Sequence, residues 1–151
     1  MTHLVRRFFG FLTAQPLTPR EQSAVHDALE PALRRLFFAQ SIPDQRHAVQ
    51  VAERAGGSSD RVEAALLHDV GKTGSSLGAF SRSFATVAGA LSLPARRSWL
   101  TYLHHGAIGA DMLQRAGASN LSVAFARSHP GPVPDGIDPD DWHALAEADE
   151  V

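Results

Sequence analysis

The chain has 151 residues, of which 44% are hydrophobic, and this is enough to build the core of a single globular domain. Lysine and arginine number 14 against 16 acidic residues, a formal net charge of -2, so bulk electrostatics require neither a nucleic acid nor an anionic membrane as partner. Cysteine is absent, which excludes disulfides, thiolate metal sites and thiol nucleophiles and leaves His, Asp and Glu as the strong metal ligands.

The N-terminal stretch from Leu4 to Leu12 is apolar but contains Arg6 and Arg7. It is too short to span a bilayer and has no small-residue cleavage site, so we expect it to pack on the domain. Together with the absence of cysteine, this indicates a cytoplasmic protein with no membrane partner.

Helix-start signals recur along the chain, whereas no segment shows sustained apolar and polar alternation with the turn dipeptides of a hairpin. The sequence therefore predicts an all-α fold, a compact bundle of about seven helices. Thr18-Pro19-Arg20-Glu21 has the spacing of a capping box and opens a helix to about Gln40, with a break near Pro31. Ser41-Ile42-Pro43-Asp44 repeats this pattern and opens a second helix, which ends at Gly56-Gly57.

A third helix opens at Asp60 and is predicted to end at Gly71. Apolar residues occupy nearly its whole circumference: Val62, Ala64, Ala65, Leu66, Leu67 and Val70. A helix that is apolar all round is buried, so we expect this one at the centre of the bundle.

The remaining helices are predicted around 79–90, from Pro94, around 106–116, around 120–128 and from Pro139. Polar or proline-rich loops are predicted at 72–78 and 129–136. Within one globular unit, we expect residues 41–151 to form the chemically active part and residues 1–40 to form an N-terminal helical extension packed on it. The extension carries no chemical motif and could support a homodimer.

The pair His68-Asp69 stands at the end of the predicted buried helix. An ionised carboxylate is costly there unless a metal or another cation compensates its charge. A second interpretation has the histidine donating to a backbone carbonyl and the aspartate capping the turn Gly71-Lys72-Thr73. On these residues alone both interpretations stay open.

Other histidines and acids fall on faces that helical periodicity places inward. His105 is in register with four residues of a predicted inward stripe: Ile108, Gly109, Met112 and Leu113. Asp149 shares a stripe with three apolar residues of the last helix: Trp142, Leu145 and Ala146. His47 precedes Val51 by one turn, and His129 follows Phe125 by one turn. Each histidine alone is compatible with an ordinary buried hydrogen bond, but together these positions favour a metal site.

In their order along the chain, these motifs resemble the HD superfamily of metal-dependent phosphohydrolases, whose signature is a histidine, a His-Asp pair and a later aspartate. His47, the segment 66–72 (Leu-Leu-His-Asp-Val-Gly-Lys) and Asp149 match this signature in order. The segments 105–113 and 128–130 are similar to the additional histidine motifs of the subgroup that binds two metals.

The resemblance implies hydrolysis of a small-molecule phosphoester, a nucleotide in particular, by a metal-activated water. It implies a first divalent ion held by His47, His68, Asp69 and Asp149. A second ion would be held by His105 and His129, with Asp69 bridging the two. Nitrogen and oxygen ligands suit Mn, Fe, Mg, Co or Zn alike.

Two residues are predicted to act in catalysis. Asp69 would orient the ions and the attacking water. Lys72, at the mouth of the site, would neutralise a phosphate oxygen or the leaving group, with a solvated loop lysine as the alternative.

Two neighbouring patterns narrow the assignment. After His129 the chain lacks the second histidine and the Gly-Tyr-Pro of the HD-GYP phosphodiesterases, which argues against cyclic-di-GMP as substrate. Gly71-Lys72-Thr73 resembles the end of a P-loop, but Leu66 stands where that motif requires glycine. Two other functions stay open: a di-iron oxygenase of the same superfamily, and a non-catalytic domain that binds a nucleotide or a partner.

Overall fold

The computed structural model describes residues 14–73 and 96–150, and for residues 96–105 it describes the backbone. This part of the chain contains seven α-helices and one short 3-10 turn. In chain order they are α1 (Pro19–Ala28), α2 (Pro31–Phe38), α3 (Ile42–Ala55), α4 (Ser59–Leu67), the 3-10 turn (Val70–Lys72), α5 (Arg96–Ala116), α6 (Asn120–Ser128) and α7 (Pro139–Asp149). The described residues form no strand, and the predicted all-α bundle is confirmed.

Short-range hydrogen bonds define the starts of the helices. The Thr18 hydroxyl accepts from the Glu21 backbone N–H, and the Glu21 carboxylate accepts from the Thr18 N–H, which completes the predicted capping box. The Ser41 and Ser58 hydroxyls accept from backbone N–H groups at the starts of α3 and α4. The break predicted near Pro31 separates α1 from α2.

Two predicted helix boundaries are wrong. The central helix ends at Leu67 rather than at Gly71, and Asp69 adopts φ -103° and ψ 5° between α4 and the 3-10 turn. The separate helices predicted from Pro94 and around 106–116 are one continuous helix, α5. A glycine inside a helix costs only about 1 kcal/mol, so Gly106 does not end α5 when tertiary packing favours continuation. The helix predicted around 79–90 lies outside the described residues.

The inward stripe predicted for α5 is partly wrong. Gly109 and Leu113 are buried as predicted, but Ile108 is 38% exposed and Ala110 is buried in its place. A Cβ on Gly109 would lie 3.0 Å from the backbone nitrogen of Gly71, so the glycine allows α5 and the 3-10 turn to approach closely. Two of these three buried positions, Gly109 and Ala110, are small residues, which a search for large apolar residues overlooks.

Helix α4 is at the centre of the bundle, as predicted. It packs against α1, α2, α3, α6 and α7, while the 3-10 turn packs against α5. The largest fully buried apolar side chains are Phe37, Phe125, Leu33, Leu67, Leu113, Leu145, Val51 and Val70. Five residues of the described part of 1–40 belong to this same core: Leu17, Val25, Leu29, Leu33 and Phe37. The division of the chain at residue 40 stays a prediction.

None of the helices in the described ranges combines the length and apolar character that crossing a membrane requires.

Candidate metal centre

Side chains from four parts of the bundle meet in one place, which we call the imidazole–carboxylate cluster. It consists of His47, His68, Asp69, His129 and Asp149. His47 lies within α3, His68 and Asp69 directly follow α4, His129 caps the end of α6, and Asp149 is the last residue of α7. Ligand atoms of His47, His68 and Asp69 lie within 4.8 Å of one another.

Asp149 is the common neighbour of the three imidazoles. Its Oδ1 lies 2.8 Å from Nε2 of His47 and 3.4 Å from Nε2 of His68, and its Oδ2 lies 3.2 Å from Nε2 of His129. The Asp149 side chain is 14% exposed. Burial alone would raise the pKa of Asp149, but the imidazoles of His129, His47 and His68 hold it far below its usual range. The three imidazoles therefore favour the ionised form of this carboxylate.

The two ring nitrogens of His68 have different environments. Nδ1 lies 2.7 Å from the carbonyl oxygen of Ala65, and because a carbonyl can only accept, Nδ1 carries the proton of this bond. Nε2 is buried, has no hydrogen-bond partner, and lies 3.5 Å from Oδ2 of Asp69 and 3.4 Å from Oδ1 of Asp149. In the neutral tautomer, the Nε2 lone pair therefore faces two carboxylates.

Such a lone pair is stable beside carboxylates only if a cation or a proton lies between them. Burial alone would lower the pKa of His68, but the carboxylates of Asp69 and Asp149 raise it to about 9. A divalent ion would take the place of that proton. Histidines that bind metals usually donate the other ring N–H to a backbone carbonyl or a carboxylate, as His68 does to Ala65. The donor set of the cluster thus fits a divalent metal ion.

Asp69 pairs with Lys72 across the 3-10 turn. The Nζ of Lys72 lies 2.5 Å from Oδ2 of Asp69. Burial would raise the pKa of Asp69, but the charges of His68 and Lys72 lower it. Burial opposes the charged form of Lys72, while the Asp69 carboxylate raises the pKa of the ammonium group. Because the Lys72 side chain is 45% exposed, it presents a positive charge at the edge of the cluster.

Aromatic packing holds His129. Its ring stacks on Phe125 with centroids 4.5 Å apart and an interplanar angle of 19°, and Phe125 makes an edge contact with Trp142 of α7. The His129 side chain is 10% exposed, and its Nδ1 is buried without a hydrogen-bond partner. Nε2 of His129 therefore points to Asp149 in a ring orientation set by Phe125.

A cavity of about 50 Å³ adjoins the cluster, with room for a few water molecules. Its lining consists of His68, Asp69, Gly71, Lys72, Gly106, Phe125, Ala126 and His129. A Cβ on Gly106 would lie 2.8 Å from the carbonyl oxygen of Ala126, so this glycine sets how closely α5 approaches α6 beside the cavity.

The structure places most of the predicted site residues together. All five residues of the imidazole–carboxylate cluster are among the predicted ligands, and Lys72, which contacts Asp69, lies at the edge of the cluster. His105 lies on the backbone of α5, but its side chain is outside the described residues, so its ligand role stays a prediction.

The alternative interpretation of the His68-Asp69 pair is right for one residue and wrong for the other. His68 does bond to a backbone carbonyl, that of Ala65. Asp69, however, makes no side-chain capping bond at the start of the 3-10 turn and pairs with Lys72 instead. A capping role therefore does not account for this part-buried carboxylate.

Sequence reasoning missed the residues that hold the cluster in place. The sequence identifies Phe125 only as a helical neighbour of His129, and the i, i+4 spacing of the two is the available signal for their stacking. Gly106 and Gly71 line the cavity because helices approach closely there, and a pattern search for ligand-type residues does not detect this.

Comparisons of this chain with models of protein families, with curated proteins and with solved structures found no match. A functional assignment therefore depends on the order of the motifs and on the geometry of the cluster.

Proposed function

We propose that the chain is a metal-dependent phosphohydrolase of the HD superfamily that cleaves a phosphomonoester or phosphodiester, in particular of a nucleotide. The observation that carries the proposal is the environment of His68. Its Nδ1–H donates to the carbonyl oxygen of Ala65, and its buried Nε2, which has no hydrogen-bond partner, faces the carboxylates of Asp69 and Asp149. This is the arrangement expected of a metal ligand held in one tautomer.

The first ion would be held by four residues of the cluster: His47, His68, Asp69 and Asp149. A divalent ion supplies a lowered pKa for a water molecule it binds and positive charge for a phosphoryl oxygen. The protein contributes rigid positioning, because the ligands lie on or directly after packed helices rather than within long loops. Phe125 fixes the plane of the His129 ring, and Ala65 fixes the tautomer of His68.

Lys72 and Asp69 would have separate roles in catalysis. In the pair they form, Asp69 offsets the charge of Lys72, and Lys72 is part of the lining of the cavity. The ammonium group would bind a phosphate oxygen or stabilise the departing oxygen. Its positive charge would stabilise the negative charge of either oxygen more strongly in a partly desolvated site than in water. Asp69 would orient the attacking water.

A second ion would involve His129 and His105, with Asp69 bridging. His129 supports this in part, since it lines the same cavity as Asp69. Replacing His105 with alanine then removes one ion and leaves the other, whereas replacing Asp69 with alanine removes both. Metal analysis of these two variants measures the stoichiometry directly.

The test is hydrolysis by protein stripped with a chelator and then reloaded separately with Mn²⁺, Fe²⁺, Co²⁺, Mg²⁺ or Zn²⁺. The substrates are a panel of nucleotides, cyclic nucleotides, phosphosugars and a chromogenic diester. We expect phosphate release or diester cleavage only when metal is present. We expect none with the variant Asp69→Ala, whose far-ultraviolet circular dichroism spectrum should be unchanged. Metal-independent turnover, or full turnover by Asp69→Ala, would refute the proposal. Oxygen uptake by the ferrous protein without hydrolysis would establish the oxygenase alternative.

A further inference from the structure

Arg54 reaches from the last turn of α3 to the last turn of α7. Its Nη1 donates to the carbonyl oxygen of Ala148 at 3.1 Å. The last four carbonyls of a helix have no partner inside the helix, and the Ala148 carbonyl belongs to this group in α7. An arginine at this end also interacts favourably with the helix dipole.

The acceptor is the peptide group that joins Ala148 to Asp149. We propose that Arg54 is a positioning residue, which holds the backbone of Asp149 so that its carboxylate meets the cluster histidines. The inference rests on the proposed function, because the alignment of Asp149 matters most if that carboxylate binds a metal. Helix ends fray readily, so a carboxylate on the last residue of a helix needs a contact of this kind to keep one orientation.

A second arginine, Arg61, also contacts α7 but at the opposite end of the helix from Asp149. Arg61 of α4 donates to Asp141 at 2.7 Å, and it also donates to the Ala55 carbonyl at 3.3 Å. Asp141 lies in the first turn of α7, about 12 Å along the helix axis from Asp149. Arg61 therefore attaches the helix to the bundle far from the cluster, whereas Arg54 acts on the peptide beside the ligand.

This contrast makes Arg61 the matched control. Loss of either arginine removes a contact between α7 and the helices beneath it, and both losses lower thermal stability. Only the loss of Arg54 changes the placement of Asp149. Partners of metal ligands typically contribute 10- to 100-fold to metal affinity, so Arg54→Met is expected to weaken metal binding by about that factor.

The test is titration of the chelator-stripped protein with Co²⁺, followed by its visible d–d absorption, in wild type, Arg54→Met, Arg54→Lys and Arg61→Met. We expect a 10- to 100-fold higher Kd and an altered spectrum for Arg54→Met. Arg54→Lys, which keeps a donor for the Ala148 carbonyl, is expected to restore most of the affinity, and Arg61→Met to keep the wild-type Kd and spectrum. Thermal melts confirm that each variant is folded, and Arg54→Ala, which also lacks a donor, replaces Arg54→Met if the latter does not fold.

Two outcomes overturn the inference while leaving the proposed function in place. One is a wild-type Kd for Arg54→Met, and the other is an equal loss of affinity in Arg54→Met and Arg61→Met, which would mean general docking of α7. Wild-type protein that binds no Co²⁺ would instead overturn the proposed metal site and the inference with it.

Discussion

Asp149 shows how much one side chain depends on its surroundings in this protein. Its two oxygens face three imidazoles, and the approach of those rings holds its pKa far below the usual range. A buried carboxylate without such neighbours would cost several kcal/mol of stability and would take up a proton instead. The charge of Asp149 therefore organises the three histidines around one point.

Asp149→Asn removes that charge with little change of shape. We expect the affinity for Mn²⁺ to fall by at least about 100-fold, because a ligand is lost and the histidines lose their common partner. Electron paramagnetic resonance of free Mn²⁺ during a titration measures the change. Asp111→Asn is the control, since Asp111 is 58% exposed in a surface pair with Arg115 and the net charge changes equally. Equal affinity in the two variants would contradict the ligand role of Asp149.

Elements rather than single residues decide the shape of the cavity. Helix α5 approaches α6 and the 3-10 turn at two glycines, Gly106 and Gly109, where a Cβ would meet backbone atoms at 2.8 Å and 3.0 Å. Backbone atoms cannot rotate away as a flexible side chain can, so the helices themselves must separate if a side chain is added.

Gly106→Ala tests this close approach. Alanine favours a helix by about 1 kcal/mol over glycine, but overpacking against the Ala126 carbonyl costs about 1–3 kcal/mol, so we expect net destabilisation. Urea unfolding measures the free energy, with the exposed neighbour Ala107→Ser expected to change it by less than about 0.5 kcal/mol. Increased stability of Gly106→Ala would mean that α5 does not need this glycine.

The N-terminal part of the described chain is attached to α3 by Arg46. The guanidinium pairs with Glu21 and donates to the Pro16 carbonyl at 2.8 Å. The hydrogen bonds from Arg46 and Thr18 lower the pKa of Glu21 from 4.5 to about 2. Because the folded-state pKa is lowered, the pair stabilises the protein above about pH 4.5, and this contribution is lost as the pH falls toward 2.

Glu21→Gln should therefore cost stability at neutral pH and little in acid. With both side chains about one-fifth exposed, we expect about 1 kcal/mol at pH 7, shrinking as the pH falls from about 4.5 toward 2. Chemical unfolding of wild type and variant across this pH range gives the difference. Glu53→Gln, at an exposed position of α3, controls for the loss of a charge. A difference that does not change with pH would contradict the assigned pairing.

Local features of this fold could be read from the sequence, and contacts between distant segments could not. The Thr18 capping box and the α1–α2 break at Pro31 depend on a few neighbouring residues, so their patterns predicted them. The position of Ile108 and the end of α4 depend on how α5 packs on Gly71, and both were predicted wrongly. The cluster residues could be predicted because their residue types are unusual on apolar faces, while Arg54, which donates to the Ala148 carbonyl beside Asp149, has no distinguishing sequence pattern.

At the scale of the whole molecule, the cluster exists only in the folded chain. His47 and Asp149 are 102 positions apart, and their contact requires α3, α4 and α7 to be packed together. A metal that binds here binds the native state alone, so its binding free energy adds to the stability of the fold. Unfolding should release it.

Elemental analysis of the purified protein tests the central claim most directly. The protein is incubated with Mn²⁺, Fe²⁺, Co²⁺ or Zn²⁺, and unbound metal is then removed. The metal content per chain is measured in the native protein and again after unfolding in guanidinium. We expect at least about one ion per native chain for one or more of these metals, and only traces in the unfolded chain. Native protein that retains none of the four metals would contradict the assignment of the imidazole–carboxylate cluster as a metal centre.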